Sequence, residues 1–161
     1  MRFDKLTLKA QEAIAQAQEM ALDEGHQEVT PEHLLSALLK QKEGIVVPLL
    51  GKLGINLHQL SNQIELELKK LPKVSGSGAG QIYLSHKLNQ VFNEATKTAG
   101  NLKDEYISTE HLLMAIVCEN KQYGINKDDL LKALVSLRGS HRVFDQNPEN
   151  TSQLIFLKQV A

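Results

Sequence analysis

The 161-residue sequence predicts an all-α fold with pseudo-two-fold symmetry: one helical unit used twice, with the second copy shortened. Three observations carry this. First, Thr30-Pro31-Glu32-His33-Leu34-Leu35 returns as Ser108-Thr109-Glu110-His111-Leu112-Leu113, at an offset of 78 (111 − 33). The same offset pairs Leu6 with Leu84, Thr7 with Ser85, Ala17 with Ala95 and Ala21 with Ala99. Repeats of this kind report a duplicated structural unit. Second, Gly54-Ile55-Asn56 matches Gly124-Ile125-Asn126 at an offset of 70, so eight residues (78 − 70) are missing from the second copy. Third, 42 % of residues are hydrophobic but only 4 % are aromatic and Trp is absent. A core of Leu, Ile, Val and Ala suits helices packed closely through small residues.

In chain order, Leu6, Ala10, Ala13, Ile14, Ala17, Met20 and Ala21 recur at three- and four-residue spacing and predict a first helix over Thr7 to Asp23. Thr7 is its cap and Gly25 its stop. His26 to Val29 is expected to be a loop. The second helix should run from Pro31 to Gln41. Thr30 caps it, proline at the first helical position loses no hydrogen bond, and Glu32 suits the positive end of the dipole. A short third helix is expected over Val47 to Leu53, ended by Gly54. Asn56 then caps a fourth helix, with Leu57, Leu60, Ile64, Leu68 and Leu71 as its inward stripe.

These helices place the first repeat at 1–71. Residues 72–81, rich in glycine and serine, are expected to be a mobile hinge. The second repeat spans 82–139. Leu84, Leu88, Val91, Phe92, Ala95 and Ala99 should form one face of its first helix, and Thr109 to Cys118 its second. The deletion falls where the short third helix would stand, so Glu119 to Gly124 is expected to be a bare turn. Asn126 caps a last helix with Leu130, Leu131, Leu134 and Leu137 inward, ended by Gly139. Residues 140–161 form a tail: a polar linker, then the apolar run Leu154-Ile155-Phe156-Leu157.

Composition removes several function classes. The net charge is −1 with no basic block, so no nucleic-acid surface is visible. No apolar run reaches the length of a membrane span, and no signal-peptide core follows Met1. One cysteine permits no internal disulfide, and the expected compartment is the cytoplasm. Cys118 is expected to be a buried small hydrophobe. Six histidines are scattered without the clustered spacing of zinc ligands. The repeat equivalence of His33 and His111 favours a structural role for both. The glycine-rich hinge has no preceding strand and no Gly-Lys-Ser/Thr, so it is not a phosphate loop. No nucleophile elbow occurs. The chain is therefore expected to be no enzyme, to need no cofactor or metal, and neither to bind nor to hydrolyse ATP. A binding module remains. Two similar units meeting about an axis leave a seam that would suit exposed apolar segments of other proteins, and Tyr106, set among charges, is a candidate for its rim.

Phe3-Asp4-Lys5-Leu6-Thr7, the two Glu-His-Leu-Leu helices, Leu71-Pro72-Lys73-Val74 and Val143-Phe144-Asp145-Gln146-Asn147-Pro148-Glu149 occur in that order. Together they resemble the amino-terminal domain of the Clp ATPase chaperones over about residues 1–151. The resemblance implies a helical domain on a flexible linker to an AAA+ ATPase ring, recruiting unfolded or aggregated polypeptide. It implies functional roles for Thr7, Asp104 and Glu110, and a groove with Phe92 and His111 on its wall, where Glu94 and His111 replace the aliphatic residues usual in the family. The rival expectation is a free-standing domain of this family, acting as adaptor or competitor on a Clp ring. A metal-dependent enzyme is a distant third.

Overall fold

The computed structural model describes residues 3–74, 81–139 and 146. Seven α-helices carry the duplication: α1 (Leu8–Asp23), α2 (Pro31–Lys40), α3 (Val46–Lys52) and α4 (Leu57–Lys69) in the first unit, then α5 (His86–Asn101), α6 (Thr109–Glu119) and α7 (Lys127–Arg138) in the second. α1, α2 and α4 therefore correspond to α5, α6 and α7. The caps are those the sequence names. The hydroxyl of Thr7 accepts from Ala10 N–H, that of Ser85 from Leu88 N–H, and the Asn56 and Asn126 side chains accept from the first turns of α4 and α7.

α2 and α6 are the central helices. Most residues of each are buried, including Leu34, Leu35, Ala37 and Leu38 in α2 and Leu112 to Val117 in α6. α1 and α4 cover α2, α5 and α7 cover α6, and α2 meets α6 across the seam. One apolar core runs through both units and joins residues of every helix. Leu60, Ile64 and Leu68 supply the α4 stripe and Leu130, Leu134 and Leu137 that of α7, with Leu57, Leu71 and Leu131 packed at its margin.

Several expectations change. His26 to Val29 is not simply a loop: β1 (Glu28–Val29) pairs in parallel with β2 (Tyr83–Leu84). Leu84 lies in that strand, 39 % exposed, and not on the inward face of α5, whose first helical residue is His86. The reason is a reciprocal exchange between the units. Val29 pairs with Leu84, and Leu6 with Ile107. Since 107 − 29 and 84 − 6 both equal 78, the segment opening each unit bonds to the segment before the central helix of the other. Backbone donors and acceptors outside the helices are thus satisfied across the seam.

The deletion leaves a 3-10 turn over Lys121–Tyr123 in place of a bare turn. Tyr123 is buried there, with Glu32 of α2 and Glu67 of α4 near its hydroxyl. The start of the expected hinge is anchored: Val74 N–H donates to Gly25 C=O at 2.8 Å, and Lys73 bridges to His26. Positions 75–80 lie outside the described residues, as does the apolar run at 154–157. Gly25 ends α1 at φ 74°, a conformation natural to glycine, with Val74 packed on its open face. Its counterpart in the second unit is Lys103, which takes φ 60° with a full side chain.

Candidate functional site

The two central helices open with an unusual cap. A capping box ordinarily uses Glu or Gln at the third helical position to reach back to the cap residue's N–H. Here a histidine ring does so in both units. His33 Nδ1 accepts from Thr30 N–H at 2.9 Å, and His111 Nδ1 from Ser108 N–H at 2.8 Å. A ring nitrogen accepting from an amide carries no proton. Each ring is therefore neutral in this arrangement, with its proton on Nε2. The structural role expected for the two histidines is this cap.

In the second unit, His111 Nε2–H donates to Asp104 Oδ2 at 2.7 Å, and Arg138 Nη2 donates to Asp104 Oδ1 at 2.5 Å. The Ser108 hydroxyl, near His111 Nδ1, also donates to Glu110 Oε1. The side chains of Asp104 and His111 have no exposed surface, and that of Arg138 has 5 %. A carboxylate so buried is held by charge-assisted bonds on both oxygens. Beside this cluster, Thr7 N–H donates to Ile107 C=O at 3.0 Å, one residue before Ser108. Gln146 C=O accepts from Leu8 N–H at 2.7 Å, which satisfies a first-turn donor of α1.

The structure thus brings four of the five expected site residues together. Asp104 touches His111, Glu110 joins them through Ser108, and Thr7 adjoins through Ile107. All four side chains are buried. Phe92 stands elsewhere: it belongs to the core at 6 % exposure, in the place that Ile14 takes at 5 % in the first unit. Glu94 is half-buried, 3.3 Å from Lys127 Nζ. Cys118 is half-buried, not buried as expected, with its Sγ 4.0 Å from Glu94 Oε1. Tyr106 is half-buried in its loop.

Arg138 and His26 were missed in the sequence, although the repeat offsets point to both. His26 is the first-unit counterpart of Asp104 (104 − 26 = 78), and Leu68 that of Arg138 (138 − 68 = 70). In the first unit, His33 Nε2 meets His26 Nδ1 at 2.9 Å, and Leu68 stands at the position that the arginine takes in the second. Burial holds His33 down at about 4, with His26 adding to the effect, and burial lowers His26 as well, partly opposed by Glu24. A cleft of about 490 Å³ opens beside this pair, between α1, α2 and α4. A second, shallower one of about 570 Å³ lies at Val117, Cys118 and the turn before α7. Among the described residues, no three His, Cys, Asp or Glu side chains converge as metal ligands, and no helix is long and apolar enough to cross a membrane.

Residues 5–136 match the family model of the Clp repeat (R) N-terminal domain. The chaperone protein ClpB of Rhodopirellula baltica is 41 % identical over 161 aligned residues, covering 96 % of this chain. ClpB of Bacillus anthracis is 39 % identical over 164, again covering 96 %. The chain spans 18 % and 19 % of the length of these two relatives. Among solved structures, the Hsp104 N-terminal domain of Candida albicans has the same fold. Its TM-score is 0.76 at 22 % identity, covering 90 % of this chain and 99 % of that one. The N-terminal domain of the ClpV1 ATPase from E. coli superposes with a TM-score of 0.65 at 25 % identity, covering 98 % of this chain and 85 % of that one. No Walker motif occurs in this sequence. The chain belongs to the Clp repeat (R) N-terminal domain family, in the form found in ClpB-type chaperones.

Proposed function

We propose that this domain binds unfolded or aggregated polypeptide weakly and delivers it to an AAA+ ATPase ring. The observation that carries the reading is the 41 % identity to ClpB across nearly the whole chain. Support comes from a ClpV N-domain of the same fold, solved as a complex with a VipB peptide (TM-score 0.63, 20 % identity, covering 96 % of this chain and 88 % of that one). The surface that fits is apolar and exposed. Tyr83 and Leu84, the two residues of β2, are 58 % and 39 % exposed, and an extended segment laid along this strand would find apolar side-chain contacts. Thr7, Asp104, Glu110 and His111 serve this surface by position: they hold the seam and the start of α6 rather than touch the client.

A shallow site of this kind gives a dissociation constant of tens of micromolar or weaker, about −6 kcal/mol. The test is fluorescence anisotropy of a labelled, permanently unfolded polypeptide titrated with the domain. Saturable binding, weakened by Tyr83→Ser and Leu84→Ser without loss of helix content, supports the reading. No binding at millimolar domain overturns it, and binding unchanged by both substitutions removes the surface. Capture of a separately added ATPase ring by this chain would favour the adaptor role instead.

A further inference from the structure

The duplicated cap is completed inside the protein in one unit and left open in the other. In the second unit, the hydrogen-bond chain from His111 ends on Asp104 and is closed by Arg138. In the first unit, the amide and hydroxyl of Thr30 lie 2.9 and 3.0 Å from His33 Nδ1. The His33 proton is therefore on Nε2 and is donated to His26 Nδ1. His26 Nδ1 is then an acceptor, which leaves the His26 proton on Nε2. His26 is only 5 % exposed and lines the 490 Å³ cleft, yet among the described residues no acceptor meets that second nitrogen. Leu68 stands where the second unit has Arg138. The polarity is also reversed: Asp104 presents an acceptor to its closing partner, whereas His26 presents a donor.

We propose that this cleft binds a single carboxylate on an otherwise neutral or cationic molecule, seated on His26 Nε2–H between Lys40 and Lys69. The charges around the cleft select this class. Lys40 and Lys69 line it and make no ion pair among the described residues, whereas Lys73 is engaged by Glu24 at 3.9 Å. Asp23 and Glu65 stand on the same rim and repel a second negative charge. A peptide C-terminus and a lone glutamate or aspartate side chain share this chemistry. The site does not depend on the polypeptide-binding reading above.

The experiment follows the imidazole nitrogens of the ¹⁵N-labelled chain by NMR. The probes are acetylated trialanine with a free C-terminus, the same peptide amidated, and an amidated peptide bearing one glutamate. A saturable shift of the His26 Nε2–H signal with the free-acid peptide alone assigns chain termini, and a shift with either carboxylate assigns the group in general. Both outcomes support the site. Lys40→Ala with Lys69→Ala should weaken the response about tenfold, one decade in dissociation constant. His26→Asp with Leu68→Arg copies the closed arrangement of the second unit and should abolish binding, read in that variant from the backbone amide signals of Ser36 and Glu65, which line the cleft. If that variant does not fold, the lysine pair still decides. No saturation at millimolar peptide, or an equal response to the amidated control, overturns the proposal.

Discussion

Exchanging the two versions of the cap tests the account of the buried cluster most directly. Asp104→His alone deprives the 5 %-exposed Arg138 of a carboxylate 2.5 Å away and His111 of its acceptor at 2.7 Å. Breaking a buried ion pair from one side costs about 3–5 kcal/mol, because a charge stays buried without that partner. That is a large share of the roughly 5–15 kcal/mol that holds a domain folded. Arg138→Leu alone should cost a similar amount, since it leaves the Asp104 charge buried. The double variant rebuilds what the first unit already has: a histidine pair beside a leucine. It should lie within about 2 kcal/mol of the parent, a coupling of at least about 4 kcal/mol and so above the ordinary range for neighbouring residues. Urea unfolding followed by circular dichroism measures all four proteins. Repeating it at about 1 M NaCl should leave the single-variant losses nearly unchanged, because salt screens buried pairs far less than exposed ones. Losses that simply add in the double variant, or a single-variant cost below about 1 kcal/mol, would refute the reasoning.

Three further outcomes follow from the same geometry. Phe92→Ala should cost about 3–5 kcal/mol by opening a cavity, and Phe92→Glu should unfold the second unit by burying an unpaired charge. A folded Phe92→Glu protein by circular dichroism would place the ring at the surface. Because His33 is held near 4 when folded and titrates near 6.5 when unfolded, the unfolded chain binds more protons between those values. Stability should therefore be complete above about pH 6.5 and fall as pH drops toward 4, by about 3 kcal/mol in all. Urea midpoints that stay flat over that window would contradict the neutral histidine pair. Lys103→Gly should stabilise by about 1 kcal/mol, since a left-handed residue bearing a Cβ gives way to glycine. A lower thermal midpoint would show that the lysine side chain contributes more than its backbone costs.

Local signals were legible in the sequence because their physics is local. Thr7, Ser85, Asn56 and Asn126 cap helices with atoms two or three residues away. The inward leucines of α4 and α7 follow from helical periodicity. The two repeat offsets exposed the duplication, and the ordered motifs exposed the family. What remained hidden depends on segments that meet only when the units dock. The pairing of Val29 with Leu84 and of Leu6 with Ile107 satisfies backbone groups whose partners lie in the opposite repeat, and nothing in two-residue strands announces it. Tyr123 is buried in the short turn that follows α6, a burial decided by residues of the first unit that pack near it and visible only in three dimensions. The sequence named Asp104, Glu110 and His111, but only the fold brought Arg138 to them. Burial then decided their character: with no exposed surface on the Asp104 and His111 side chains, these groups hold the domain together from within, and the open donor lies in the other unit, at His26.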